Sequence, residues 1–300
     1  MNSPPTRDDE VRGLWMGLLG VVIFALTLPM TRLAVGPAEA PQLPPLFVTA
    51  GRAALAGLLS VAYLVAVGAS RPRLDQLPAF AISAAGTVVG FPLFLALALR
   101  QVESMHAAVV TGLLPLATAV AAALWWRQRP SAGFWACAVL GCALVVGFAL
   151  LQGSGRLSPA DALLLAAVAS AAMGYVAGAR LAAQMPAEQV ICWVLVLSLP
   201  VTLPATMAVW PTAPVRTISW AAFGYTALFS MWLGFFAWYR GLALGGTVRV
   251  SQVQLVQPFL SLLFAVPLLG ERLDPSTVAF SLAVIATVFV GKRMPAHRPA

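Results

Sequence analysis

Ten apolar stretches, each about 20 residues long, follow one another through this chain. Stretches of that length cross a bilayer's hydrocarbon core, where no water bonds a free N–H or C=O. A helix satisfies those groups within its own segment. The sequence therefore predicts an all-α integral membrane protein with ten transmembrane helices, in contact with a lipid bilayer. Composition agrees. The chain is 60% hydrophobic and 9% charged, with mean hydropathy +0.89, whereas a soluble domain carries about 25% charge. The net charge of +8 is no nucleic-acid footprint. Seventeen of the 18 basic residues are arginines, and almost all fall at span ends, the pattern that orients a membrane protein.

Spans 1 to 5 are placed at about 13–35, 46–68, 77–99, 105–126 and 131–151, and spans 6 to 10 at about 159–183, 188–209, 218–240, 248–269 and 275–291. The Gly153-Ser154-Gly155 stretch divides them into a first five-span half, 1–152, and a second, 153–300. The first apolar run, from Leu14, lacks an A-x-A cleavage site and is expected to remain as a span. With the N-terminus inside, twelve basic residues fall at inner ends and five at outer ends, so both termini are expected in the cytoplasm. Gly86 and Gly90, like Gly174 and Gly178, are spaced to let helix backbones approach closely. Cys137, Cys142 and Cys192 lie inside apolar runs without metal-ligand spacing. They read as small buried hydrophobes, and no metal or cofactor is expected.

The stretch 249–272 has a second copy 143 residues earlier. Pro258 answers to Pro115, Gln254 to Thr111, and Glu271-Arg272 to Gln128-Arg129. Five spans per half is an odd number, so the halves must cross the membrane in opposite senses. Inverted repeats of this kind are widely used by secondary transporters, with the substrate held near the midplane where the halves meet.

The run HAAVVTGLLPLATAVAAALWWRQR, ending at Arg129, and WYRGLALGGTVRVSQVQLVQPFLSLLFAVPLLGERLD, from Trp238 to Asp274, resemble the two halves of a ten-span EamA-type transporter of the drug/metabolite transporter superfamily. The G-E-R-L ending of span 9 carries most of the likeness. The first half departs from it with Gln128 where the family has Glu. The resemblance implies two inverted five-helix repeats around a central cavity, in the inner membrane of a bacterium. It implies a small-molecule substrate: among bacterial members the amino-acid exporters, including the aromatic-amino-acid type, are most similar.

The candidate site follows from the two prolines. A proline inside a helix supplies no N–H to the carbonyl four residues before it. Pro115 frees that of Thr111, and Pro258 that of Gln254. Thr111, Gln254 and Gln257 are expected to offer hydrogen-bonding groups to a cavity, with Pro115 and Pro258 as kinks for gating. Alternatively, the prolines only bend the helices and the glutamines bond to neighbouring helices. Arg52, inside span 2, either attracts a substrate carboxylate, snorkels to the outer headgroups, or pairs with Glu39 or Glu103. His106 either titrates or is packed. Tyr175, Trp193, Trp232 and Phe235 are candidate cavity walls for a large side chain or, with Met16, Met173 and Met231, packing residues.

No Asp or Glu lies deep in a span. Proton-coupled cation pumps use such a carboxylate as relay and counter-ion, which argues against a cationic-drug antiporter. Two histidines, no H-E-x-x-H and no paired deep aspartates argue against an intramembrane enzyme. A secondary exporter of amino acids by alternating access is the expectation. The alternatives are an exporter of another small metabolite or drug, and a channel.

Overall fold

A computed structural model of the protein describes residues 7–125, 129–152, 155–245, 252–293 and 296–297. Among the described residues, eight helical runs are long and apolar enough to cross a membrane: Asp8–Val35, Pro45–Ala66, Leu74–Ala98, Ser104–Trp125, Ala132–Gln152, Pro159–Ala182, Ala187–Ala208 and Thr217–Gly241. These are spans 1 to 8. Two shorter apolar helices, Val253–Leu269 and Pro275–Gly291, stand where spans 9 and 10 were expected. Span 9 thus differs from one long helix starting at 248. Gln252–Val256 winds as a tight 3₁₀ turn, and the α-helix begins at Gln257 with Pro258 in its first turn. A proline is tolerated there because the N–H groups of a first turn have no helical partner. Gln128, Arg249 and their neighbours at 126–128 and 246–251 lie outside the described residues. The strand pairing among the described residues is two residues long, Arg129–Pro130 against Ala296–His297.

Local chemistry sets the helix ends. Ser158 caps span 6, and Asp161 closes the box by accepting from the Ser158 backbone N–H at 2.7 Å. Span 9 ends at Gly270, left-handed at φ +70°, a conformation that side-chain-bearing residues avoid.

Proline and wide turns bend the inner spans. Span 1 breaks at Leu26, between helices Arg7–Ala25 and Thr27–Val35. Pro29 leaves the Ala25 carbonyl without a helical donor, and Ser261 Oγ of span 9 donates to it at 2.8 Å. Spans 3 and 8 each contain a π-helical segment, Ala84–Gly90 and Thr226–Leu233. The two lie one repeat apart. Pro92 accounts for the first, since a wider turn relieves the clash of its ring. The second has no proline within it; Gly234 follows, where a Cβ would lie 2.8 Å from the Phe24 ring.

Span 1 packs on span 8, span 2 on span 7, span 3 on span 6, span 4 on span 9 and span 5 on span 10. Exchanging the halves of the chain turns this set of pairings into itself. Glycines make the closest approaches. A Cβ on Gly86 would sit 2.7 Å from Gly174 Cα, and one on Gly241 2.5 Å from Gly17 N. One apolar cluster gathers Val35, Phe47, Leu95, Leu99, Met105 and Val110; a second gathers Ala56, Phe80, Leu181, Val190 and Met231. Trp15, Val65, Val139, Val201 and Met207 are exposed, as a lipid-facing surface requires. Cys142 is on that surface too, so the expectation that all three cysteines are buried holds for Cys137 and Cys192 alone. Helix position decides this: Cys142 follows Gly141, which faces Leu113 and Leu116 of span 4.

Candidate functional site

Span 4 divides into Ser104–Thr111 and Leu114–Trp125, with Gly112 and Leu113 between them. Its first half packs on the Gln257–Leu269 helix of span 9, its second on span 6. At this divergence lies a partly open cavity whose empty space, its mouth included, is about 970 Å³. Thr111, Pro115, Gln254, Gln257 and Pro258 all line it, as do Arg52 and Tyr175.

The lining obeys the repeat. Thr87 and Ser230, Thr111 and Gln254, Leu114 and Gln257, Pro115 and Pro258, and Leu28 and Ala171 are pairs 143 residues apart, and all ten residues face the one cavity. Thr87 and Ser230 sit in the two π-helical segments. Ser230, Thr27 and Ser261 did not figure among the sequence candidates. Aligning the halves would have shown the hydroxyl shared by Thr87 and Ser230.

The polar groups differ in what they can offer. Thr111 Oγ1 donates to Ala107 O at 2.7 Å, so its remaining capacity toward the cavity is as an acceptor. Arg52 is 4% exposed. Its Nη2 donates to Ser230 Oγ at 3.1 Å, and Ser230 Oγ shares a hydrogen bond with Thr27 Oγ1 at 2.7 Å. Arg52 therefore neither snorkels nor meets Glu39 or Glu103. Among the described residues, Arg73 forms an ion pair with Asp75, and His106 hydrogen-bonds to Asp161.

Aromatic groups form the apolar wall. Phe24 and Phe235 meet edge-on at 5.1 Å between centroids, and both line the cavity with Phe91, Met231 and Ile285. Trp232 is not among the lining residues. Its ring packs 5.1 Å from Phe236 in the second apolar cluster, with Trp193 nearby. Met231 and Phe235, four residues apart on one face of span 8, reach the cavity, and Trp232 does not. Met16 and Met173 are also absent from the lining; Met173 is exposed.

Two charged contacts lie at the span ends. His106 Nε2 and Asp161 Oδ1 are 2.6 Å apart, so His106 is a paired residue packed against Phe148. Glu271, from the G-E-R-L sequence, is 8% exposed and accepts from the backbone N–H groups of Ser104 and Met105 at 2.7 and 2.8 Å. Burial pushes its carboxyl above the ordinary value of 4.5, and those two hydrogen bonds pull it part of the way back. Nearby, Arg32 Nη1 donates to Leu99 O.

Known proteins share this chain's sequence and shape. Residues 11–150 and 158–291 match the EamA-like transporter family. An uncharacterized transporter of Bacillus subtilis (strain 168), YdeK, is 44% identical over 294 residues, which span 95% of this chain and 99% of YdeK. A protein of known crystal structure superposes with TM-score 0.62 at 20% identity, covering 94% of this chain and 98% of that one. That likeness is one of fold. The two matched segments follow the two halves of the chain, and the match in sequence is nearly end to end. The chain belongs to the EamA-like transporter family, and it is a multi-pass membrane transporter of small molecules.

Proposed function

We propose that this transporter exports amino acids, large neutral and aromatic ones included, across the bacterial inner membrane by alternating access. The observation that carries the reading is one cavity lined by residue pairs 143 positions apart. Residues 1–152 and 153–300 act as inverted five-span repeats, with both termini in the cytoplasm, and rock about the broken spans 4 and 9. Such breaks near the midplane are where secondary transporters hold their substrates.

The chemistry suits an amino acid. Pro115 leaves the Thr111 carbonyl without a helical N–H, and a carbonyl accepts from an ammonium group, whereas the Gln254 carbonyl lies in the 3₁₀ turn Gln252–Val256, where the N–H three residues on serves it. The Gln254 and Gln257 amides can bond either end of an amino acid. Phe24, Phe91 and Phe235 provide an apolar wall of the kind a large side chain occupies.

The test is uptake of labelled amino acids into liposomes holding the pure protein, with and without a pH gradient. Saturable uptake and counterflow of neutral amino acids are expected. Each of Gln254→Ala and Gln257→Ala should raise the half-saturating concentration, by about tenfold for a lost buried hydrogen bond. Folded Gln254→Ala and Gln257→Ala proteins that both transport normally would refute the site.

A further inference from the structure

Arg52 is a cation without a counter-ion. It lies on span 2, almost wholly buried, at the wall of the cavity. Its Nε has no hydrogen-bond partner, and Nη2 has only the neutral Ser230 hydroxyl. No described residue lining the cavity is an aspartate or glutamate. Removing a guanidinium from water costs several kcal/mol, which one neutral hydroxyl does not return. Within a membrane such a group pairs with an anion or marks a substrate path.

We propose that the cavity seats its substrate by an acidic group, a carboxylate or similar oxyanion, held by Arg52 and Ser230. This rests on the reading of the cavity as the transport site. It makes the acid group the recognised feature and the ammonium dispensable. Arg52 belongs to span 2, Ser230 to span 8 and its partner Thr27 to span 1, so an anion seated there ties three spans from both halves together. A primary amine lacking an acid group leaves Arg52 uncompensated and is rejected.

The experiment uses the full-length protein in liposomes and in detergent. Counterflow of labelled L-leucine is challenged with leucinamide, 4-methyl-2-oxopentanoate and methyl phosphate, and the same compounds are tested for thermal stabilisation. The oxo acid should compete and stabilise, and leucinamide should do neither. Arg52→Met should raise the half-saturating concentration of acids about thirtyfold or more, the loss expected of a buried charge partner. Arg52→Lys should be intermediate, since it keeps charge without the planar fork. Ser230→Ala, a smaller perturbation of the fold, should weaken acids in the same order.

Leucinamide competing as well as leucine, unchanged acid affinity in Arg52→Met or Ser230→Ala, or no acid stabilising the wild type would each overturn the proposal. If leucine fails but the oxo acid or methyl phosphate binds through Arg52, the amino-acid reading falls and the anion seat stands. Whichever of those two binds more tightly identifies the oxyanion as carboxylate or phosphate.

Discussion

Glu271 caps Ser104. The carboxylate that follows span 9 accepts the backbone N–H of Ser104 at 2.7 Å and, through its other oxygen, that of Met105 at 2.8 Å. The end of one broken span thereby closes the start of the other. Gly270 makes this possible: its left-handed backbone turns the chain back immediately before the carboxylate.

We predict that Glu271→Ala, which orphans both N–H groups, costs about 2 kcal/mol of stability. Thermal unfolding in detergent measures it, and an unchanged Tm would contradict the capping role. The carboxyl titrates above 4.5 when folded, so the folded state binds its proton more tightly than the unfolded state. The stability linked to this group is full below 4.5 and falls as pH rises through the folded value. Glu271→Gln should remove that slope from a pH series of Tm values.

Pro115 and Pro258 stand in the first turns of the helices that follow the two breaks. Replacing either with alanine restores an N–H and favours a continuous helix. We predict a turnover lower by about tenfold with little change in half-saturation, because gating and not substrate contact is altered. A change confined to half-saturation would assign the prolines to binding instead.

Gly241 and Gly224 form a matched pair. A Cβ at Gly241 would sit 2.5 Å from Gly17 N, whereas one at Gly224 meets nothing within 4 Å. Gly241→Val should destabilise the protein by about 3 kcal/mol through overpacking. Gly224→Ala should be neutral or stabilise by up to about 1 kcal/mol. Equal Tm shifts for the two would contradict the close approach of spans 1 and 8.

Ser261 satisfies the Ala25 carbonyl that Pro29 leaves free. Ser261→Ala alone should cost about 1 kcal/mol. In a Pro29→Ala background the carbonyl regains a helical donor, and the same change should cost little. A double-mutant cycle with no coupling between the two positions would show that the bond is energetically idle.

The membrane class, the spans and the bends at Pro115 and Pro258 were legible in the sequence because their causes are local, whereas the 3₁₀ turn that opens span 9 was not. An apolar run of sufficient length becomes a buried helix in lipid, and a proline removes one hydrogen bond wherever it stands. The repeat joining Thr111, Pro115, Gln254 and Pro258 was legible for the same reason: it is a register within the chain. The positions of Tyr175 and Trp232 were not separable on that basis. Both are aromatics in apolar helices, and only the packing of those helices sets Tyr175 at the cavity and turns Trp232 away from it towards Phe236.

Sequence alone therefore determined that this chain spans a membrane, and it placed the prolines near which spans 4 and 9 break. Tertiary structure decided what those breaks and charges meet. Arg52 lies 178 positions from Ser230 and Glu271 lies 167 from Ser104, and no local propensity links them. Burial removes water as a partner for each of these groups. What they bond to instead is settled by which helices pack together.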